Sequence, residues 1–280
     1  EVIKIEPPGT GELRRNSGPF ITSASGERAS SYFLVLARSR KGITLNLKED
    51  AGKEVFKELV RVSDVVLENF SPGTMKGLGL GYGALRQINP GIIYAAITGF
   101  GQLEPYIGPY SDWQANNATA QAMSGLMEIT GDADGPPALV GASIGDTIPA
   151  MWAVVGILLA LEQRRRTGLG QFVDVAMYDC LVAHAGAKNV SDYFVTGTSA
   201  NRDQSSTNVA MSTRFTCQDG YVAVSMRGTR EKWARLLKLI GREEVLSEMP
   251  RTVGTRKELE IRFDLLKPAI EGWTKVTPKW

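Results

Sequence analysis

The sequence predicts an α/β fold in two parts, a large domain over residues 1–200 and a smaller α+β domain over residues 201–280. Three observations predict it. Short β-branched apolar runs alternate with helical spacings through the first hundred residues, the strand–helix–strand order of a parallel sheet covered on both faces. A long apolar helix, a glycine break and another apolar strand follow between Pro149 and Met177. The polar stretch Thr196 to Thr207 then separates these from a hairpin and two amphipathic helices. The large domain thus reads as a Rossmann-like parallel sheet.

Val2 to Glu6 alternates apolar and charged residues, a strand pattern. Pro7 to Glu27 is rich in Pro, Gly and Ser, contains Arg14 and Arg15, and reads as a long surface loop. Ser31 to Leu36 and Gly42 to Leu47 each read as a strand or strand end. Asp50 to Val62 places Val55, Phe56, Leu59 and Val62 at helical spacing. Asp64 to Glu68 is a short strand, Asn69 to Gly73 the loop at its carboxyl end, and Thr74 starts a helix. Ile92 to Thr98 is the next strand, ending at Gly99-Phe100-Gly101. Ligands of such sheets bind outside the carboxyl ends of the strands, where Lys48, Asn69, Phe70, Gly99 and Phe100 fall. No G-x-G-x-x-G follows a strand, so a dinucleotide site of the usual kind is not supported. Ala118 to Ile129 reads as a helix rich in small residues, and Gly131 to Pro137 as a turn.

Gly141 to Asp179 reads as loop, helix, turn, strand. Gly145-Asp146-Thr147 ends the loop, and Pro149 suits a first helical position. Met151 to Leu161 is apolar almost all round, which predicts a buried helix. Gln163 to Arg166 makes a basic last turn, Gly168 and Gly170 break the chain, and Phe172 to Met177 is a strand. Asp146 then stands at the mouth of a helix whose dipole favours a charged carboxylate. An Asp there also fits an ordinary N-cap, but its small neighbours leave room for a ligand. Met177 to Tyr193 is a helix. Farther on, Arg214 to Cys217 and Tyr221 to Ser225 form a hairpin about an Asp-Gly turn. Arg230 to Ile240 is amphipathic, with Trp233, Leu236, Leu237 and Ile240 on one side, and Lys257 to Ile270 is a second such helix.

Composition narrows the function. With 32 basic and 30 acidic residues the net charge is +2, which gives no reason to expect nucleic acid. Cys180 and Cys217 make no disulfide framework or zinc cluster, and a reducing cytoplasm is the natural setting. His184 is the one histidine, which speaks against a metal site and against His–Asp chemistry. There is no signal peptide, and the longest apolar segment, Ala153 to Leu161, reads as too short to span a bilayer, so no membrane partner is expected. Neither end carries capping or tail chemistry, and a chain lacking its ends is expected.

The run G-D at Gly145-Asp146, G-I-L-L-A-L at Gly156 to Leu161 and T-G-L-G-Q-F-V-D-V-A-M-Y-D at Thr167 to Asp179 resembles the signature of the class III CoA-transferases. This CaiB/BaiF family includes the formyl-CoA and carnitine CoA-transferases and the α-methylacyl-CoA racemases. The resemblance extends through V-I-K-I-E-P-P-G at Val2 to Gly9, I-T-L-N-L-K at Ile43 to Lys48 and E-N-F-S-P-G-T-M at Glu68 to Met75. It continues through G-F-G-Q at Gly99 to Gln102, A-Q-A-M-S-G-L-M at Ala120 to Met127 and D-G-Y-V-A-V at Asp219 to Val224.

The resemblance implies that Asp146 is a nucleophile relaying an acyl group through an aspartyl anhydride and an aspartyl-CoA thioester. It implies that Lys48 meets a CoA phosphate and that Asn69 and Phe70 line the adenine and ribose site. Leu45, Asn46, Ser71, Gln114, Asn116 and Asn117 complete the implied CoA-binding set. CoA thioester is then a substrate with no permanently bound cofactor, a carboxylic acid is the acceptor, and the assembly is an interlaced homodimer. Two departures matter. Where the family commonly has Gly-Tyr-Asp or Gly-His-Asp, this chain has Ala115-Asn116-Asn117, and Asn carries no proton at neutral pH. That favours transferase over racemase, with His184 well away in sequence. No glycine run occurs between Thr196 and Arg214, where formyl-CoA transferase has a covering loop. An acyl-CoA racemase or epimerase, or a non-catalytic CoA-binding module, are the alternatives.

Overall fold

Residues 92–96 expose almost no surface, and the larger of two units is built around them. The computed structural model describes residues 1–132, 134–198, 202, 212–225, 228–251 and 256–279; the side chains of 185–189, 192, 212–213 and 256 lie outside that description. One unit comprises Glu1–Met127 and Leu139–Gly197, the other Glu128–Ala138 and Thr198–Trp280. Sequence places the division after residue 200; the units part after Gly197, and the segment read as a connecting turn joins the smaller one. The Arg202 guanidinium explains this. It donates to the carbonyls of Glu128 (2.8 Å) and Gly135 (3.0 Å), and Arg214 pairs with Asp132. Most of the predicted loop Thr196 to Thr207 (199–201 and 203–207) lies outside the described residues.

The larger unit opens with β1 (Ile3–Glu6), a 3-10 turn (Leu13–Asn16), β2 (Phe20–Thr22), β3 (Arg28–Ser30), α1 (Ser31–Leu36) and β4 (Lys41–Thr44). It continues with α2 (Asp50–Val62), β5 (Val65–Glu68), α3 (Thr74–Gly77), α4 (Tyr82–Ile88) and β6 (Ile93–Thr98), then α5 (Asn117–Met123), α6 (Ile144–Thr167), β7 (Phe172–Ala176) and α7 (Met177–Thr196). The parallel strands divide into two sheets, β1–β4 and β5–β6–β7. Phe56, Val60, Met75, Leu80 and Leu85 from α2 to α4 pack against Ile92, Tyr94 and Ala96. A separate cluster joins Ala120, Met177 and Leu181.

Four sequence expectations change here. The segment read as a long loop holds β2, which pairs antiparallel with β3. Ser31 to Leu36 is helical, because Ser30 Oγ accepts the Phe33 N–H (3.1 Å) and caps a turn that β propensity alone would leave extended. The helix through Ala120 is shorter than its small residues suggest, giving way at Ser124 and Gly125. Helix α6 begins at Ile144, so Asp146 lies in its first turn and Pro149 lies inside it. Pro149 has no N–H, which deprives the Gly145 carbonyl of its usual helical donor.

The predicted burial of α6 is also corrected. Only Gly145, Pro149, Ala153 and Ala160 are buried, whereas Met151, Trp152, Val154, Val155, Leu158 and Leu159 are exposed. The helix packs on β6, β7, α5 and α7, and Gly156 allows the approach to β7: a Cβ there would meet Val173 Cγ1 at 2.6 Å. Those neighbours cover part of the helix, and the rest of its apolar surface is exposed. By length and composition α6 is also apolar enough to cross a membrane; the sequence estimate counted only its unbroken apolar core.

The smaller unit holds β8 (Ser212–Cys217), β9 (Gly220–Ser225), α8 (Arg230–Leu239), α9 (Val245–Glu248) and α10 (Arg256–Thr274). The hairpin closes at Cys217 opposite Gly220, whose φ of 144° suits glycine. Phe215, Trp233, Leu237, Val245, Met249, Phe263, Leu266, Ala269 and Ile270 form its core.

Glu6, 5 % exposed, ends β1 in a built ion pair. Its carboxylate accepts Arg15 Nε (2.6 Å), Arg15 Nη2 (2.8 Å) and the Glu12 N–H (3.0 Å). The Arg15 hydrogen bonds bring its pKa from 4.5 down to about 2. A depressed carboxylate pKa stabilises the fold above the unfolded pKa, and that stability drains away as pH falls through the folded one. Urea unfolding across this window is expected to show a steep loss in the native protein and a flatter one in Glu6→Gln. At pH 7 the variant is expected to be about 1.5–3 kcal/mol less stable.

Candidate active site at the start of α6

Asp146 is positioned by hydrogen bonds to its backbone surroundings. The Asp146 and Thr147 N–H groups donate to the Ser143 carbonyl (3.1 and 3.0 Å), and the Gly145 N–H donates to Asn117 Oδ1 (2.9 Å). Gly145 has no room for a side chain, since a Cβ would stand 2.7 Å from the Asn117 carbonyl oxygen. Asn117 Oδ1 also accepts Gln121 Nε2 (2.9 Å). Gln121 is fully buried and grips Val140 from both sides, accepting its N–H (3.0 Å) and donating to its carbonyl (3.4 Å). Asn116 Oδ1 accepts the Thr119 N–H (3.0 Å) and caps α5. The amide oxygens of Asn116 and Asn117, expected at CoA, are thus both engaged in the frame. The N–H groups of residues 145–147 already have acceptors within the frame.

The Asp146 carboxylate reaches solvent and accepts no hydrogen bond among the described residues. Partial loss of hydration raises its pKa above the ordinary 3.8, while the positive charge of Arg14 acts in the opposite direction. The result is an acidic side chain with free lone pairs, less hydrated than an open-surface Asp.

Directly after it, Thr147, Ile148, Met151, Trp152 and Val155 line a cavity of 300 Å³ with His184 of α7. Sequence separation set His184 apart from Asp146; the packing of α7 on α6 brings it to this wall. Trp152 Nε1 donates to His184 Nε2 (2.9 Å). That bond assigns the imidazole proton to Nδ1 and occupies the Nε2 lone pair.

The remaining predicted residues sit past strand ends of the same unit. Beyond β4, Leu45 packs into the core, Asn46 Oδ1 accepts the Lys48 N–H (3.1 Å), and Lys48 is exposed without an ion pair among the described residues. Beyond β5, Asn69, Phe70 and Ser71 are exposed. Glu68 holds their turn by accepting the Phe70 N–H (2.7 Å) and the Tyr94 hydroxyl (3.1 Å). A second cavity of 380 Å³ adjoins them, lined by Glu68, Lys76, Tyr82, Tyr94 and Gln102 among others. Gln114 is exposed between β6 and α5. Since α6 returns to the start of β7, its own start lies toward the carboxyl edge of the sheet, the usual ligand side.

Sequence reasoning missed two supporting residues. Asp174 of β7 accepts the N–H groups of Gln102 (2.7 Å) and Leu103 (2.9 Å), fixing the Gly99 to Gln102 loop. An acid within an otherwise apolar strand was its signal. Gln121 gave no comparable signal in a helix of small residues. Among the described residues no cluster of His, Cys, Asp or Glu suits a metal ion.

The model of one protein family, CoA-transferase family III, matches residues 1–279. A succinyl-CoA:mesaconate CoA-transferase from Haloarcula marismortui is 38% identical over 277 residues, covering 98% of this chain and 68% of that protein. A formyl-CoA:oxalate CoA-transferase from Streptomyces avermitilis is 36% identical over 299 residues, covering 100% of this chain and 69% of the relative. The crystal structure of a CAIB/BAIF family protein from Brucella suis superimposes with a TM-score of 0.82 at 32% identity, covering 100% of this chain and 72% of that one.

Gly145→Ala is expected to force α6 away from Asn117 and cost about 1–3 kcal/mol of stability. Gly141→Ala, where a Cβ meets nothing within 4 Å, is expected to cost far less. Chemical unfolding of the two variants side by side checks the contrast.

Proposed function

The chain belongs to CoA-transferase family III, and on that premise we propose that Asp146 relays an acyl group while CoA passes from a thioester to a free carboxylic acid. The observation that carries this reading is the Asp146 carboxylate, unpaired among the described residues and partly dehydrated, beside a cavity on the ligand side of the sheet. One Asp146 oxygen attacks the thioester carbonyl, the C–S bond breaks, and CoA leaves as thiolate. The thiolate then attacks the aspartyl carbonyl of the mixed anhydride, releasing the donor acid and leaving an aspartyl thioester. The acceptor carboxylate displaces the thiolate from that thioester, and the thiolate takes the new acyl group, restoring Asp146. No net proton moves, and one difficult exchange becomes a series of carboxylate and thiolate attacks.

Lys48 meets a CoA phosphate as a compact cation, and the exposed Phe70 face stacks on adenine beside Asn69. Leu45, Asn46, Ser71, Gln114, Asn116 and Asn117 shape that path. CoA is a substrate here, not a resident cofactor. The occupied His184 Nε2 favours transfer over racemisation, which needs a base opposite Asp146. A second copy of the chain covers the apolar flank of α6, making an interlaced homodimer, and the free thiols of Cys180 and Cys217 fit a cytoplasmic setting.

Asp146→Ala is expected to lose transfer by roughly a thousandfold or more while CoA still binds; full activity would overturn the relay. Mass spectrometry of the native protein with succinyl-CoA is expected to show an adduct on Asp146. Because the attacking form is the charged one, transfer should fall as pH drops through an Asp146 pKa lying above 3.8. Sedimentation of Leu158→Glu is expected to show monomer where the native chain sediments as dimer; a monomeric native chain would refute the assembly.

A further inference from the structure

Tyr94 lies at the centre of the three-stranded sheet, opposite Val66 of β5 and Phe172 of β7. Side chains two residues apart on a strand share a face. Tyr94 therefore stands on the same face as Glu68, which is paired with Ala96, and the phenol lies diagonally across from the carboxylate. The Tyr94 ring is buried against Tyr82 and Phe172, with centroids 6.2 and 5.6 Å away. Its hydroxyl donates to Glu68 Oε1 (3.1 Å), while Glu68 Oε2 accepts the Phe70 N–H (2.7 Å). One carboxylate thus joins a buried ring to an exposed turn, and both residues line the 380 Å³ cavity beside that turn. Burial pushes the Glu68 carboxyl above its ordinary 4.5, and the two donated hydrogen bonds act against that. At the far end the Thr74 N–H donates to the Ser71 carbonyl (3.1 Å) as α3 begins, and Met75 is buried in the core. The turn is held at both ends, and its side chains are left exposed.

Resting on the reading that Asn69 and Phe70 receive the CoA nucleotide, we propose that Tyr94 and Glu68 are positioning residues for that nucleotide, and that through them the chain prefers a CoA thioester to a thioester of pantetheine alone. Neither touches the nucleotide. The Tyr94 hydroxyl orients the carboxylate, the carboxylate orients the Phe70 N–H, and the Phe70 ring is presented in one place. A turn already ordered in the free protein loses less freedom when it binds. The device needs an ionised carboxylate, which accepts on both oxygens, whereas an amide of the same shape has one accepting and one donating end. In Glu68→Gln one of the two donors must face an NH2 group. None of these contacts reaches Asp146, so the step at the thioester is expected to be unchanged.

The test probes the nucleotide half by itself. Calorimetric titration with adenosine 3′,5′-bisphosphate is expected to show binding weakened about 2–10-fold in Tyr94→Phe and about 10–100-fold in Glu68→Gln, where donor faces donor. The double variant is expected to bind better than Glu68→Gln alone, because the Gln oxygen can then turn to the Phe70 N–H. The same variants are assayed for transfer from succinyl-CoA and from succinyl-pantetheine. KM for succinyl-CoA is expected to rise by the same factors with kcat within about twofold, while both constants for succinyl-pantetheine stay at native values. Damage to the fold would instead lower activity on both donors. Equal losses on the two donors, or unaltered binding of the bisphosphate, would overturn the role of Tyr94 and Glu68 while leaving transfer intact. A native chain that binds the bisphosphate and transfers nothing would overturn the transferase reading alone. One that does not bind it would overturn the nucleotide reading of Asn69 and Phe70, and this proposal with it.

Discussion

One side-chain oxygen holds the candidate site in shape. Asn117 Oδ1 accepts both the Gly145 N–H and the Gln121 amide, tying α5 to the first turn of α6. That bond exists because Gly145 lacks a Cβ, and because buried Gln121 uses its other groups on Val140. The polar groups of the crossing are mutually satisfied, so the junction is stiff where unpaired groups would make it costly. Asp146 projects from this junction, one residue past the contact. Its backbone position is inherited from the frame, and its carboxylate has no hydrogen-bond partner among the described residues.

The same helix carries the site's other constraint. One face of α6 lies close against β7 through Gly156 and Val173, while Met151, Trp152, Leu158 and Leu159 along the helix remain exposed. Apolar area of that extent favours burial. A second copy laid on it would also enclose the cavity that follows Asp146, so assembly and site would share one surface. Dehydration already raises the Asp146 pKa in the single chain, and further cover would act in the same direction.

Charge is divided by burial. Glu6 and Arg15 neutralise each other at the end of β1, where the buried carboxylate needs a partner. Arg14, one residue earlier, stays at the surface near the Tyr32 ring. Adjacent residues of one type therefore meet different surroundings, because a 3-10 turn points them in different directions.

Helical spacing located α2 and α8, alternation located β1, and short β-branched apolar runs located β5, β6 and β7. The motif around Gly145-Asp146 singled out the acid, and strand ends singled out Lys48, Asn69 and Phe70. Sequence could not show that Ser31 to Leu36 is helical, a choice made by the Ser30 cap. Nor could it show that residues 128–138 belong with the second unit, a choice made by Arg202. The exposure of α6, the arrival of His184 beside it and the different fates of Arg14 and Arg15 were likewise decided in three dimensions. Local patterns record what a segment prefers to bury or bond; which distant group meets it depends on how whole elements cross, and no window of sequence contains that crossing.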